Sequence, residues 1–286
     1  CAHWAQTLAQ VPVPVLRETR DALARWEQMA DRADANSLAD TVLRDPLMTL
    51  RVFACVSQRF GERLSTPVET VTGAIVLLGI EPFFALMADL PVLEDRLAGN
   101  PPALAGALHA IERSHRAARL AAAFAIQRQD EDVEVLHQAA LLDNFAGLLL
   151  WCEAPRLVLD MAQRQQADPA LRSADVQRLV LGVDLPSVEH ALVAQWGLPD
   201  FLREMSDPGL SARPGPRSVM LAVRIARQIA SAAAFDFGAR ARYVTAWERL
   251  SCASGRPTCS SACAAATAII SEVGSARPTS SLAKII

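Results

Sequence analysis

The chain has 286 residues, 51% apolar and 21% charged, a balance that excludes a disordered polypeptide and allows one or two domains with a full core. A net charge of −3 offers no basic footprint for nucleic acid and no polybasic contact for a membrane surface. Aromatic residues are only 5%, with a single Tyr, whereas Ala and Leu abound, and this scarcity of strand formers favours helices. No apolar run approaches the roughly 20 residues needed to span a bilayer. The opening Cys1-Ala2-His3-Trp4 lacks the charged and apolar regions of a secretory signal, and the missing initiator Met predicts an upstream segment. Cys55 and Cys152 sit in apolar helical stretches and read as core thiols, which points to a reducing compartment, the cytoplasm.

In chain order, Val11-Pro12-Val13-Pro14-Val15 is an extended entry, because each proline restricts its own φ and its predecessor. A helix is expected from Val15 to Arg32, then a short one capped by Ser37. Asp45-Pro46-Leu47 is a strong helix start, with Asp45 as cap and Pro46 where the N–H would be unpaired; Leu47, Leu50, Phe53 and Ala54 form one face and Gly61 ends it. Thr66-Pro67-Val68-Glu69 reads as a capped start with a Glu at the capping-box position; Val71, Ala74, Ile75 and Leu78 form its buried stripe and Gly79 ends it. Glu81-Pro82 opens an apolar helix through Leu90, and Pro101-Pro102 a long one to about Arg128. Asp130-Glu131-Asp132 is an acidic N-terminus that leads into a central helix. Further helices are expected at Pro155–Gln165, Ser173–Leu181 and Pro186–Gln195, followed by a Trp196-Gly197-Leu198-Pro199 corner and a turn to Ser206, with Trp196 anchoring the corner in the core.

Residues 207–216, rich in Pro and Gly, form the best linker. Beyond it, Val219, Val223, Ile225, Ala226 and Ile229 mark an amphipathic helix, and Tyr243–Leu250 and Ala262–Val273 two more, before a frayed end over Gly274–Ile286. Cys252, Cys259 and Cys263, with six and three residues between them, match no common zinc or iron–sulfur spacing. The organisation expected is an all-α, multi-helix domain over residues 9–208 and a helical extension over 209–286, which either packs on the same core or stands alone.

The chemistry of the chain turns on Ala139–Leu150, read as one buried helix with two adjacent polar side chains, Asp143 and Asn144, in its middle. Surrounded by apolar residues, each needs a partner, a water, a ligand or a metal.

Several stretches, taken in order, resemble the HDOD domain, the HD-related output domain of bacterial signal transduction. They are Asp45-Pro46-Leu47 with Arg51-Val52-Phe53, then Thr70 through Gly79, then Gln195-Trp196-Gly197-Leu198-Pro199, with Val11-Pro12-Val13-Pro14 as the entry. The resemblance spans about residues 11–206. It implies an HD-like helical fold with additional C-terminal helices, and kinship to HD-type phosphohydrolases, which hold divalent metal with His and Asp ligands and activate a water.

The resemblance also implies which positions would hold metal. Where the pattern has Leu-Leu-His-Asp-x-Gly, this chain has Leu141-Leu142-Asp143-Asn144-Phe145-Ala146. A second ligand position falls on Arg113 and a third on Leu185. Arg113, Asp143, Asn144 and Leu185 therefore outline a vestigial pocket with no metal, no cofactor and no catalytic residue expected. Asp45, Pro46, Gly79, Trp196 and Pro199 are expected to be structural.

Two readings of the polar pair stay open. Asp143 and Arg113 form a buried ion pair where the metal once stood, or Arg113 reaches solvent while Asp143 bonds backbone groups. His115, His137 and His190 lie near the lost positions, but a displaced site is disfavoured. His115 is turned roughly 200° from the Arg113 position, and His137 roughly 120° from Asp143, on an ideal helix. The implied function is a non-catalytic regulatory module that binds a protein partner or senses a small ligand such as a nucleotide. The alternative is a divergent metal-dependent phosphohydrolase of a nucleotide or cyclic dinucleotide. Neither nucleic acid nor membrane is an expected partner.

Overall fold

The computed structural model describes residues 2–61, 68–87, 89–168, 170–206 and 214–232. The chain opens on α1 (Ala2–Ala9), a helix with no proline to announce it. Tertiary contacts hold it: Leu8 is fully buried, and the Trp4 indole Nε1 donates to the Leu181 carbonyl at 3.0 Å. The Pro-flanked entry follows, and Val15 makes an isolated parallel bridge with Val92. Among the described residues there is no strand, and the fold is all-α.

The first predicted helix stops earlier than its sequence suggests. It divides into α2 (Arg17–Gln28) and a 3₁₀ turn (Ala30–Arg32). The next helix, α3 (Ala35–Val42), starts at Asp34 rather than Ser37. The Asp34 carboxylate accepts from the Asn36 and Ser37 N–H groups, both at 2.9 Å, so the helix nucleates there and Ser37 falls inside its first turn.

Helix α4 (Pro46–Phe60) begins at the Asp45-Pro46 signal. Asp45 Oδ1 accepts from the Leu47 and Met48 N–H groups at 2.9 and 3.2 Å, and Oδ2 from Leu16 N–H at 2.7 Å. One buried carboxylate thus ties the starts of α2 and α4 together. Helix α5 (Val71–Leu78) is capped by Thr70, whose Oγ1 accepts from Gly73 N–H at 3.1 Å. The expected start at Thr66-Pro67 lies outside the described residues, while Val68 and Glu69 precede the helix, so the nearer hydroxyl does the capping. Its buried stripe is Val71, Ala74, Ile75 and Leu78, as the spacing predicts. Gly79 joins it to α6 (Ile80–Leu86) at φ +79° and ψ 153°, a backbone conformation that side chains with a Cβ resist.

After α7 (Leu93–Arg96) comes the long α8 (Pro101–Arg128), capped by Asn100 and carrying Ala103, Ala107, Ala110, Ala117, Ala118, Ala121 and Ala125 along its buried face. These small residues let α9 (Val133–Leu142) lie close against it. Buried Gln138 of α9 accepts from Val71 N–H at 3.1 Å, joining the centre to α5. The expected continuous central helix is divided: α9 ends at Leu142 and α10 (Phe145–Glu153) begins after Asn144. The stretch Val133–Glu153 has the length and hydropathy of a membrane span, yet most of it is buried inside the protein. Helices α11 (Pro155–Ala167), α12 (Ser173–Leu181), α13 (Leu185–Trp196) and α14 (Asp200–Ser206) follow near their predicted positions.

The linker falls largely outside the described residues, and so do Tyr243–Leu250 and Ala262–Val273. Helix α15 (Pro214–Ala232) is described, and it packs along α8 and α9 on Val219, Ala222, Val223, Ile225 and Ala226.

Candidate functional site

The α9–α10 break builds the site. Asp143 remains in right-handed helical geometry (φ −53°, ψ −22°), whereas Asn144 leaves it (φ −129°, ψ 37°). Neither polar residue sits within a continuous helix; together they form its interruption. The Asn144 side chain folds over the first turn of α10, and a Cβ on Gly147 would stand 2.7 Å from its amide atoms. Gly147 is therefore needed for that close approach.

Asn144 makes no side-chain cap bond to α10. The acceptor comes instead from α13: Glu189 Oε1 receives Ala146 N–H at 3.3 Å, at the helix N-terminus where a carboxylate is favoured. Glu189 is 9% exposed. Burial and the neighbouring Asp143 charge hold its carboxyl well above the usual range, against the pull of Ala146 N–H and Arg227. Asp143 is also raised, by burial, while Arg227 draws it back.

The partner of Asp143 is Arg227 of α15, with Nη2 to Oδ2 at 3.1 Å. Arg113, half-buried on α8, does not make that pair. Its pKa is lowered by burial and then by the like charges of Arg227 and Arg116. Arg116 itself pairs with Glu112 one turn earlier. Leu185 is buried at the start of α13, its N–H donating to Gln177 Oε1 at 3.0 Å. So Asp143 and Asn144 adjoin Glu189 and Arg227, with Arg113 facing Arg227 across the α8–α15 contact.

The donor set does not fit a divalent metal. Of its two carboxyls, Asp143 is paired with Arg227 and Glu189 is held well above the usual range by burial, while Leu185 offers no donor and the Arg113 and Arg227 guanidiniums repel a cation. Among the described residues, no three His, Cys, Asp or Glu side chains converge to hold one. His115 and His137 do approach each other, between α8 and α9. His115 bonds the Arg44 backbone and is lowered chiefly by burial, and His137 is pushed down to about 4 by burial, His115 and Arg119. His190 is exposed on α13. Asp143, by contrast, has Arg227 and Glu189 as its charged neighbours.

Glu189 and Arg227 do not appear in the sequence-derived pocket. Glu189 stands one turn after Leu185 on the same helix, so the i, i+4 rule could have placed it at the site. Arg227 lies 84 residues from Asp143 and across the linker, and no local spacing marks it.

The structural residues are placed as follows. Asp45 and Pro46 start α4, and Gly79 turns α5 into α6. Trp196 is buried with its ring centroid 6.4 Å from that of Phe145, the first residue of α10, and Pro199 is buried beyond Gly197. The Trp196 corner thus supports the helix that follows the break.

The fold is shared with known structures. The MmoQ response regulator from Methylococcus capsulatus str. Bath superposes with a TM-score of 0.62 at 20% identity, over 82% of this chain and 93% of that one. A virulence factor from Campylobacter jejuni subsp. jejuni gives 0.59 at 16% identity, over 80% and 83%. Identities this low establish the fold alone. No curated protein matches the sequence. The HDOD domain model matches residues 14–207, from the Pro-flanked entry through α14. With that match covering more than half of the chain, the protein belongs to the HDOD family.

Proposed function

We propose that this chain is a non-catalytic regulatory module of bacterial signal transduction, working in the cytoplasm through a protein partner or a small ligand rather than by hydrolysis. The observation that carries the reading is the Asp143–Arg227 ion pair, which puts a guanidinium beside the carboxylate at the matched metal-ligand position. Leu185 at another such position and Arg113 at a third remove the remaining donors. A water needs a metal or a strong base to become a nucleophile at neutral pH, and a carboxylate engaged by Arg227 is neither. The likeness in fold to a response regulator supports a place in signalling.

Metal analysis and a phosphodiesterase assay on the purified protein test this directly. The expected outcome is no stoichiometric divalent metal and no hydrolysis of nucleotides or cyclic dinucleotides. A tightly bound stoichiometric metal, with hydrolysis abolished by Asp143→Ala, would overturn it in favour of a divergent phosphohydrolase. Thermal-shift screening against nucleotides then separates ligand sensing from partner binding, because selective binding to the folded state must raise the melting temperature.

A further inference from the structure

Helix α15 lies beyond the family-matched segment, yet it reaches the vestigial pocket. Its apolar face rests on α8 and α9, and it is pinned by polar contacts toward both ends. Near its start, Ser218 is bonded by Arg128 at the end of α8, and a Cβ on Gly215 would stand 3.3 Å from Leu136 of α9. Toward its end, Arg227 reaches Asp143.

We propose that α15 is a strap acting in cis on the pocket: the Arg227–Asp143 ion pair latches it shut, and release of that latch uncovers Asp143 and Glu189 together with the apolar seat on α8 and α9. The inference rests on the reading of the pocket as non-hydrolytic and adds how access to it is controlled.

The latch is built to be weak. The Asp143 and Arg227 side chains are 24% and 57% exposed, and pairs with that much water access are weak and respond to salt. The groups facing Asp143 are Glu189 from α13 and Arg227 from α15, and Arg227 in turn faces Arg113 of α8. Neutralising Asp143 removes the charge that Arg227 meets at 3.1 Å, while the like charges of Arg113 and Arg227 still face each other across the α8–α15 contact. Binding of any cation to Asp143, or of any anion to Arg227, competes with the latch in the same way. The apolar seat holds the strap; the ion pair sets how often it opens.

Amide hydrogen exchange on the full chain tests this, read over 214–232 and over 143–150. Asp143→Asn keeps the side-chain shape and removes the charge. It is expected to speed exchange about fivefold or more in both segments, about 1 kcal/mol of lost closure, and to leave α4 and α5 unchanged. In an Arg227→Gln background, Asp143→Asn should add almost nothing, because the partner is already absent. Raising salt from about 50 to 500 mM should speed wild-type α15 exchange and leave the double variant unaffected. The proposal is overturned if Asp143→Asn leaves α15 protection unchanged. It is also overturned if the effect is equally large without Arg227, or if α15 loosens while 143–150 does not. Should Asp143→Asn fail to fold, Arg227→Gln at its exposed position carries the test alone, and unchanged α15 exchange then overturns the strap. A finding of bound metal and hydrolysis would remove the non-hydrolytic reading, whereas these exchange rates would still report the strap.

Discussion

At the scale of single residues, buried Asp45 and half-buried His137 pull stability in opposite directions as the pH falls. Asp45 is pushed up to about 6 by burial, against donors from Leu16, Met48, Leu47 and Thr19. A carboxyl raised above its unfolded value near 3.9 holds an extra proton when folded, so its contribution is full at low pH and fades as pH rises through about 6. His137, pushed down to about 4, acts in the opposite sense. Between about 6.5 and 4 the unfolded chain binds a proton that the folded His137 refuses, so stability falls with pH by up to about 3 kcal/mol. The two slopes offset each other from about pH 6 to 4, and wild-type stability should vary little there on their account. Replacing His137→Gln removes one slope: the stability difference between wild type and variant should shrink steadily from pH 7 to pH 4 in urea titrations. A pH-independent difference would show that His137 titrates normally. Asp45→Ala is a separate matter of bonding. It orphans the Leu16 N–H as well as the α4 cap, and should cost about 3 kcal/mol, with Asp45→Asn intermediate because its amide NH₂ cannot accept from Leu16.

At the scale of elements, the division between α9 and α10 is what makes a site from an apolar run. Gly147 permits it, since the Asn144 side chain occupies the space a Cβ would need. Gly147→Ala gains helix propensity of about 1 kcal/mol but must displace Asn144 from a packed position, at about 1–3 kcal/mol. The expected net is a lower melting temperature, with the Ala146–Glu189 bond disturbed and amide exchange at Ala146 accelerated; a higher melting temperature would mean that Asn144 moves aside freely. Elements with chemical punctuation are legible in the sequence: Asp45-Pro46 starts a helix because a cap and a missing N–H coincide there, and Pro101-Pro102 marks the start of α8, whose Asn100 cap the structure adds. The α9–α10 break carries no proline, and Gly147 lies inside the second helix, so periodicity ran straight through it. The same limit hid α1, a helix of 8 residues without a proline, held by Trp4 and Leu8 against distant parts of the chain. In the site, Asp143 was visible as a polar residue in an apolar run. Glu189 was reachable only through its i, i+4 relation to Leu185, and Arg227 not at all, since its role depends on α15 meeting the end of α9 in space.

At the scale of the whole molecule, the helices at both ends of the described chain join the family domain rather than trailing from it. Helix α1 precedes the matched residues and α15 follows them, yet α1 packs on α13 and α15 on α8 and α9. Their buried residues belong to the same continuous cluster as Phe53, Leu141 and Leu148. A core shared in this way should unfold as one unit, so damage at an end ought to propagate to the centre. Leu8 is fully buried in α1, and Leu8→Ala should cost about 2–5 kcal/mol through lost transfer energy and a residual cavity. Among the described residues, fluorescence reports on Trp4 and Trp26 near the N-terminus and on Trp151 and Trp196 near the site, with Trp247 as the fifth tryptophan of the chain, whereas far-ultraviolet circular dichroism reports on all helices. If the end helices are integral, both signals shift to lower urea together and the transition keeps its steepness. If α1 is an appendage, Leu8→Ala leaves the main transition in place and adds a separate early phase. The first outcome would make the HDOD fold of this chain dependent on helices outside the segment that defines the family.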